Sequence, residues 1–163
     1  CQPPPGRLQR VAHADPPVLI DFAHTPDAVT QVLLSLRLHC QGRLICVLGC
    51  GGDRDPGKRP LMGVAAVQHS DLCLFTSDNP RSESPASIID EMCRDLAVPL
   101  DPANCLIDRK AAIQRALTLQ EPGDVVVILG KGHERYQEIQ GVRYPFNDEA
   151  IVTAELMQRG RRA

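Results

Sequence analysis

The run Asp124-Val-Val-Val-Ile-Leu129 decides the fold of this chain, because it is almost entirely β-branched and follows a turn at Gly123. A strand of that composition is typical of a parallel sheet covered by helices on both faces. The earlier runs Leu44-Ile-Cys-Val-Leu48 and Leu72-Cys-Leu-Phe-Thr76 are also apolar and strand-like. We therefore expect all three runs to be strands of an α/β fold.

Helical patterns alternate with these strands along the chain. Val18-Leu-Ile-Asp-Phe22 is a further predicted strand, and the pair Thr25-Pro26 after it predicts the capped start of a helix. The pair Ser84-Pro85 repeats that start signal. Helices are expected over about 26–39, 60–69, 85–96, 109–119 and 148–159, with a short strand near 105–107. This alternation predicts a doubly wound, mostly parallel Rossmann-like sheet with its ligand loops at the carboxyl ends of the strands.

The pattern changes near the end of the chain. Residues Tyr136 to Ile139 and Val142 to Phe146 flank Gln140-Gly141, an arrangement typical of a β-hairpin. We expect this hairpin to add an antiparallel edge to the sheet.

Composition limits the chain to one domain and argues against several functional classes. With 163 residues and 43% hydrophobic content, the chain is long enough for a single globular core. A net charge of −2 and few aromatic residues give no support to nucleic-acid binding. No apolar run approaches the roughly 18 residues of a membrane span, and no secretory signal opens the sequence. We therefore expect a soluble cytoplasmic protein with neither nucleic acid nor membrane as a partner.

The cysteines and the first residues give two further expectations. Seven cysteines include no Cys-x-x-Cys pair, and Cys46, Cys73 and Cys93 have apolar neighbours, so we interpret them as buried structural thiols. The chain begins with Cys1, Gln2 and three prolines. We interpret residues 1–12 as an interdomain linker remnant and 13–163 as one domain of a longer protein.

The loop Asp78-Asn79-Pro80-Arg81 follows a predicted strand, where an α/β sheet presents its ligands. The guanidinium of Arg81 can hold a carboxylate through two parallel hydrogen bonds, and Asp78 and Asn79 can accept from an ammonium group. The residues therefore suit a small zwitterion. Taken alone, the same tetrapeptide is more typical of a simple turn.

Two glycine-rich loops imitate a phosphate-binding loop without matching it. Gly52-x-x-x-x-Gly57-Lys58 is followed by Arg59, which cannot bind Mg²⁺ as Ser or Thr does. This turn suits a carboxylate better, although its glycines also fit a purely structural turn. Gly130-Lys131-Gly132-His133-Glu134 lacks the spacing as well, but its glycines allow a ligand to approach the backbone, and Glu134 can accept from an ammonium group.

One histidine also follows a predicted strand. His24 lies just after the strand end and close to Asp21. One His and one Asp are too few for a metal site, so a solvated loop histidine and a functional one both remain open.

Four segments together resemble the C-terminal domain of the Mur ligases: Asp21–Asp27, Gly49–Pro60, Asp78–Arg81 and Gly130–Glu134. The resemblance is strongest to the family member that adds the third residue of the peptidoglycan stem peptide. The Asp78–Arg81 loop is similar to the version in enzymes that add meso-diaminopimelate rather than lysine. By this resemblance, the expected meso-diaminopimelate-binding residues are Arg54, Asp78, Asn79, Pro80, Arg81, Gly130 and Glu134. Asp21 and His24 are expected to face ATP, and Phe22 departs from the tyrosine more usual in the family.

The resemblance implies an ATP-dependent ligase. In such an enzyme, ATP phosphorylates the glutamate side chain of UDP-N-acetylmuramoyl-L-alanyl-D-glutamate, and the incoming amine attacks the acyl phosphate. A phosphate loop, Mg²⁺ ligands and a UDP-binding region have no match in this sequence. The resemblance thus implies that ATP, Mg²⁺ and the catalytic residues belong to the full-length enzyme, with no cofactor or metal bound by this domain alone.

Two alternatives remain open. One is a freestanding, non-catalytic amino-acid-binding module of the same fold. The other is a domain of a ligase that adds glutamates to folate, which leaves the Asp78–Arg81 loop unexplained.

Overall fold

The computed structural model describes residues 7–162, which form an α/β domain around one central sheet. Its strands are β1 (Gln9–Arg10), β2 (Val18–Asp21), β3 (Leu44–Cys50), β4 (Leu72–Ser77), β5 (Cys105–Leu106) and β6 (Val125–Leu129). They lie in the order β1-β2-β6-β3-β4-β5. All neighbouring pairs are parallel except β1 and β2.

The helices begin close to the predicted positions. They are α1 (Pro26–Arg37), α2 (Lys58–His69), α3 (Pro85–Cys93), α4 (Arg109–Leu119) and α5 (Asp148–Arg162). The hydroxyl of Thr25 accepts from the backbone N–H of Ala28 at 3.2 Å, which confirms the predicted cap of α1. Asn147 caps α5 in the same way. None of the helices within residues 7–162 is long and apolar enough to cross a membrane.

Side chains of the central strands alternate between two cores. On β3, Leu44, Cys46 and Leu48 belong to one cluster, whereas Ile45 and Val47 belong to the other. The first cluster packs against α1, α2 and α3, and the second against α4 and α5. Helices on both faces explain why these strands consist of continuous apolar runs, and they confirm the doubly wound fold.

The antiparallel strands do not lie where the sequence predicted them. The hairpin of β7 (Tyr136–Ile139) and β8 (Val142–Pro145) forms a two-stranded sheet of its own, joined to the Asp78–Arg81 loop by a bridge between Arg81 and Ile139. The antiparallel edge of the central sheet is instead β1, which lies within the predicted linker segment 1–12. Val11 of the same segment is 1% exposed in the core. Strand β1 and Val11 therefore pack on the domain.

Candidate functional site

The carboxyl ends of four neighbouring strands carry the candidate site. Strands β2, β6, β3 and β4 are parallel and adjacent, so the loops that follow them emerge at one edge of the sheet. These loops surround a cavity of about 440 Å³. That volume is within the range of small-molecule sites.

Most of the predicted site residues lie together around this cavity. Its lining includes His24, Arg54, Asp78, Asn79, Arg81, Gly130 and Glu134. The lining also includes Phe22, Cys50 and Met62, which add apolar surface. Charged and apolar groups thus line one cavity. The binding roles of the predicted residues stay predictions.

Asp21 and Pro80 lie outside the lining. Asp21 is 4% exposed, and its two carboxylate oxygens accept from the backbone N–H groups of Leu8 at 2.8 Å and Ala23 at 2.7 Å. Its carboxylate therefore stabilises the loop that carries His24. The carbonyl of Pro80 lies so close to Gly52 that a Cβ there would be 1.9 Å from the oxygen, which explains the glycine.

Lys131 lies at the centre of the charged groups, although the sequence did not single it out. Its side chain is 0% exposed. The ammonium donates to Asn79 Oδ1 at 2.8 Å, to the carbonyl of Tyr136 at 2.9 Å and to Glu134 Oε1 at 3.1 Å. The Nζ atom also lies 3.2 Å from Asp78 Oδ1, without hydrogen-bond geometry, so that this buried oxygen has no hydrogen bond among the described residues.

The amide of Asn79 is oriented by these contacts. Its Oδ1 accepts from Lys131 and, at 2.9 Å, from the backbone N–H of Glu138, while its Nδ2 donates to Glu134 at 3.2 Å. Asn79 Oδ1 is therefore already occupied, contrary to the predicted contact with a ligand ammonium. The oxygens that remain for such a group belong to Asp78 and Glu134.

Arg81 is held by the hairpin and by the glycine-rich loop. Its Nε donates to Glu138 Oε2 at 2.9 Å, and its Nη1 donates to the carbonyl of Gly52 at 2.8 Å. Both its backbone N–H and its carbonyl bond to the hairpin, at Glu138 and Gln140. This pairing fixes Arg81 at φ 52°, a conformation that non-glycine residues rarely adopt. Its Nη2 has no partner among the described residues and is available to a ligand carboxylate.

A buried arginine in the first turn of α2 stabilises the loop between β3 and α2. Arg59 is 2% exposed, contacts Glu83, and donates to Glu91 Oε2 at 2.9 Å. Hydrogen bonds that Arg59 donates to Glu83, opposed by burial, raise the pKa of Arg59 above its usual range. Arg59 also lines the cavity, but its contacts with Glu83 and Glu91 indicate a structural role. Arg54 is exposed, lines the cavity and donates to the carbonyl of Asp53 at 2.9 Å.

Gly130 lets two loops approach each other closely. It adopts φ 114°, and a Cβ there would lie 2.9 Å from Asp78 Oδ2 and 3.2 Å from the carbonyl of Gly49. A side chain at this position would therefore disturb the carboxylate that faces the cavity.

The cysteines confirm the structural interpretation in part. Cys46 and Cys73 are buried, and Cys93 is partly buried. Burial raises the pKa of Cys50 to about 12, so this thiol in the cavity wall stays protonated at neutral pH.

A buried ion pair between the first residues of α4 and α5 supports the site. Arg109 and Asp148 are 0% exposed and lie 2.7 Å apart. Arg109 also donates to the carbonyl of Ser77 at 3.1 Å and to that of Leu129 at 3.3 Å. These carbonyls directly precede Asp78 and Gly130, so the pair helps to fix where the two loops begin.

Several known proteins are similar to this chain. The family model described as Mur ligase, glutamate ligase domain, matches residues 6–132. A Chromobacterium violaceum protein named UDP-N-acetylmuramoyl-L-alanyl-D-glutamate–2,6-diaminopimelate ligase is 49% identical over 166 residues, covering 99% of this chain and 33% of that protein. An Aquifex aeolicus protein of the same name is 50% identical over 153 residues, covering 93% and 31%. The chain thus spans about a third of the length of these curated relatives.

Solved structures agree with the sequence comparison. The structure of a UDP-N-acetylmuramoyl-L-alanyl-D-glutamate–2,6-diaminopimelate ligase matches with a TM-score of 0.86 at 41% identity, covering 98% of this chain and 33% of that one. A folylpolyglutamate synthase from Mycobacterium tuberculosis matches with a TM-score of 0.62 at 22% identity, covering 94% and 32%. This second likeness shows a common fold.

Proposed function

The chain belongs to the Mur ligase family and corresponds to the glutamate ligase domain of that family, and from this premise we propose the function of the chain. We propose that it is the amino-acid-binding domain of an ATP-dependent ligase. The full-length enzyme would add meso-diaminopimelate to UDP-N-acetylmuramoyl-L-alanyl-D-glutamate in peptidoglycan synthesis.

One observation carries the proposal: a single cavity brings a guanidinium with a free donor together with carboxylates that face it. Arg81 retains its unpartnered Nη2 within the described residues, and Asp78 and Glu134 line the same cavity. A ligand that bears both carboxylate and ammonium groups matches this arrangement. Arg54 at the rim supplies a second cation for a second carboxylate.

The contribution of this domain to the reaction is positioning. In the proposed reaction the amine nitrogen forms a bond to the acyl carbon of the activated glutamate, the acyl–oxygen bond to phosphate breaks, and the nitrogen loses a proton. Holding the amino acid by its remaining charged groups orients the amine for that attack. Orientation of this kind can contribute several kcal/mol, about 7–11 in the most favourable systems.

Activation of the glutamate is proposed to occur outside this chain. Arg59 stands where a phosphate loop requires Ser or Thr, and it is occupied by Glu83 and Glu91. Within residues 7–161, no group of three or more His, Cys, Asp or Glu side chains could hold a metal ion, so we assign no Mg²⁺ ligand to them. We propose that His24 faces ATP held by the rest of the enzyme, and that Asp21 supports its loop.

Selectivity against lysine would come from Arg81, because lysine lacks the second carboxylate. When lysine binds, Arg81 has no ligand carboxylate to pair with. The free-energy cost of this is moderate, since Glu138 and the carbonyl of Gly52 already accept hydrogen bonds from Arg81. Its side chain is also 21% exposed, so water can reach it. We expect discrimination of about 10- to 100-fold rather than the larger ratios found in dry sites.

Calorimetric titration of the full-length protein with meso-diaminopimelate and with lysine tests the proposal. We expect meso-diaminopimelate to bind at least about tenfold more tightly, which corresponds to about 1.4 kcal/mol. Equal binding of the two amino acids, or binding of neither, would contradict it. Ligation assays with the UDP-linked substrate then distinguish an enzyme from a binding module.

A further inference from the structure

The buried ammonium of Lys131 is the part of the site that the proposed function does not yet use. Its three hydrogen-bond acceptors come from three different segments: the Asp78–Arg81 loop, the loop after β6 and strand β7. An ammonium group has three N–H donors, so these partners use all of them. Lys131 therefore ties the segments together without lining the cavity itself.

We propose that Lys131 is a positioning residue that sets both the geometry and the charge of the ammonium-binding part of the site. This inference rests on the proposed function. Lys131 contacts Glu134 Oε1 at 3.1 Å and Asp78 Oδ1 at 3.2 Å, so two carboxylates share one buried cation. Like charges in such proximity repel, and buried carboxylates without a counter-ion are costly. Lys131 offsets both effects.

The net charge of the cluster formed by Asp78, Glu134 and Lys131 follows from its three charged groups. Two carboxylates and one ammonium carry one net negative charge, which matches one ammonium group of the amino acid. Without Lys131 the cluster would carry two negative charges and would attract a cation into the position of Nζ rather than into the cavity. Lys131 thus determines where the ammonium of the ligand binds, as well as how strongly.

The geometry depends on Lys131 through Asn79. Because Asn79 Oδ1 accepts from Lys131 and from the backbone of Glu138, Asn79 Nδ2 faces Glu134. Loss of the ammonium removes one of the two donors that hold the amide in this orientation. Glu134 then loses a donor directly and a second donor through rotation of the amide.

The experiment uses the full-length protein with Lys131→Met, which keeps an unbranched side chain of similar length and removes its charge. We expect the KM for meso-diaminopimelate to rise about 10- to 100-fold, as for a displaced binding group, and the KM for ATP to stay within about twofold. Lys131→Arg keeps the charge and should recover part of the loss. Lys110→Met is the matched control, because it removes the same charge from an exposed position on α4 and should change neither KM.

A second variant keeps the test decisive if Lys131→Met folds poorly. Lys131→Ala should regain part of its lost affinity when ethylammonium chloride is added, because ethylammonium supplies the missing N–H donors. Tetramethylammonium carries the same charge without N–H groups and should not restore it. An equal effect of the two salts would overturn the positioning role.

Two outcomes separate the inference from the function on which it rests. If the unmodified protein does not use meso-diaminopimelate, the proposed function fails and the inference fails with it. If the unmodified protein uses meso-diaminopimelate, two results for Lys131→Met overturn only the inference. One is an unchanged KM for meso-diaminopimelate, and the other is an equal rise in the KM for meso-diaminopimelate and the KM for ATP.

Discussion

Replacing Arg81 by alanine in the full-length protein tests the selectivity of the site. The two N–H groups of Nη2 are available to a carboxylate, since Nε and Nη1 donate to Glu138 and to the carbonyl of Gly52. Two charge-assisted hydrogen bonds at a side chain that is 21% exposed contribute about 2–3 kcal/mol together, below the sum for a dry site. We therefore expect kcat/KM for meso-diaminopimelate to fall about 30- to 150-fold.

Steady-state kinetics with each substrate varied in turn measures this effect. The KM for ATP should change little, and the preference for meso-diaminopimelate over lysine should largely disappear. Arg143→Ala is the control, because Arg143 lies 3.5 Å from the same Glu138 carboxylate but is 63% exposed and does not line the cavity. Unchanged kinetics in Arg81→Ala, or an equal loss in both variants, would refute the assignment.

Three further predictions concern other parts of the domain. In the full-length protein, His24→Ala should mainly raise the KM for ATP and Arg54→Ala mainly that for meso-diaminopimelate; a shift in ATP alone for both would make the glycine-rich turn a phosphate site. The isolated 163-residue chain should fold, as followed by circular dichroism, yet show no ATP hydrolysis, and turnover that copurifies with it would contradict this. Burial opposes ionisation of Asp124, but hydrogen bonds from the backbone of Arg43 and Glu121 outweigh it and lower its pKa. Its stabilising effect should therefore be present above about pH 4 and lost as the pH falls further, so Asp124→Asn should lower the urea-unfolding free energy by about 1–2 kcal/mol at pH 7 and less at pH 3.

Much of the fold could be predicted because its signals are local. The apolar runs, the Thr25 cap and the alternation of strands with helices all depend on neighbouring residues, and the structure confirms them. Strand β1 could not be found in this way, because two polar residues, Gln9 and Arg10, show no periodicity. Its pairing with β2 depends on a contact with Ile20 and Leu19 that no local pattern encodes.

The grouping of most of the predicted residues around one cavity could be predicted from the sequence, but the contacts among them could not. The sequence places polar loops after the strands, and parallel pairing of the strands then brings the loops together. It does not reveal whether a loop lysine is solvated or buried, so Lys131 went unrecognised. Likewise, Arg109 and Asp148 are 39 positions apart, and nothing in either segment marks them as partners.

The charges around the cavity also bear on how the amine can react. Meso-diaminopimelate has two carboxylates and two amines, and the attacking amine must be neutral, because an ammonium has no lone pair. In the proposed complex, Arg54 and Arg81 would each face one carboxylate, while the cluster of Asp78, Glu134 and Lys131 has a single net negative charge. That negative charge stabilises one ammonium group, and the cluster has no further negative charge to stabilise a second. On the proposed function, the site would therefore favour the amino acid with one amine protonated and held by the cluster, and with the other amine free to lose its proton and attack.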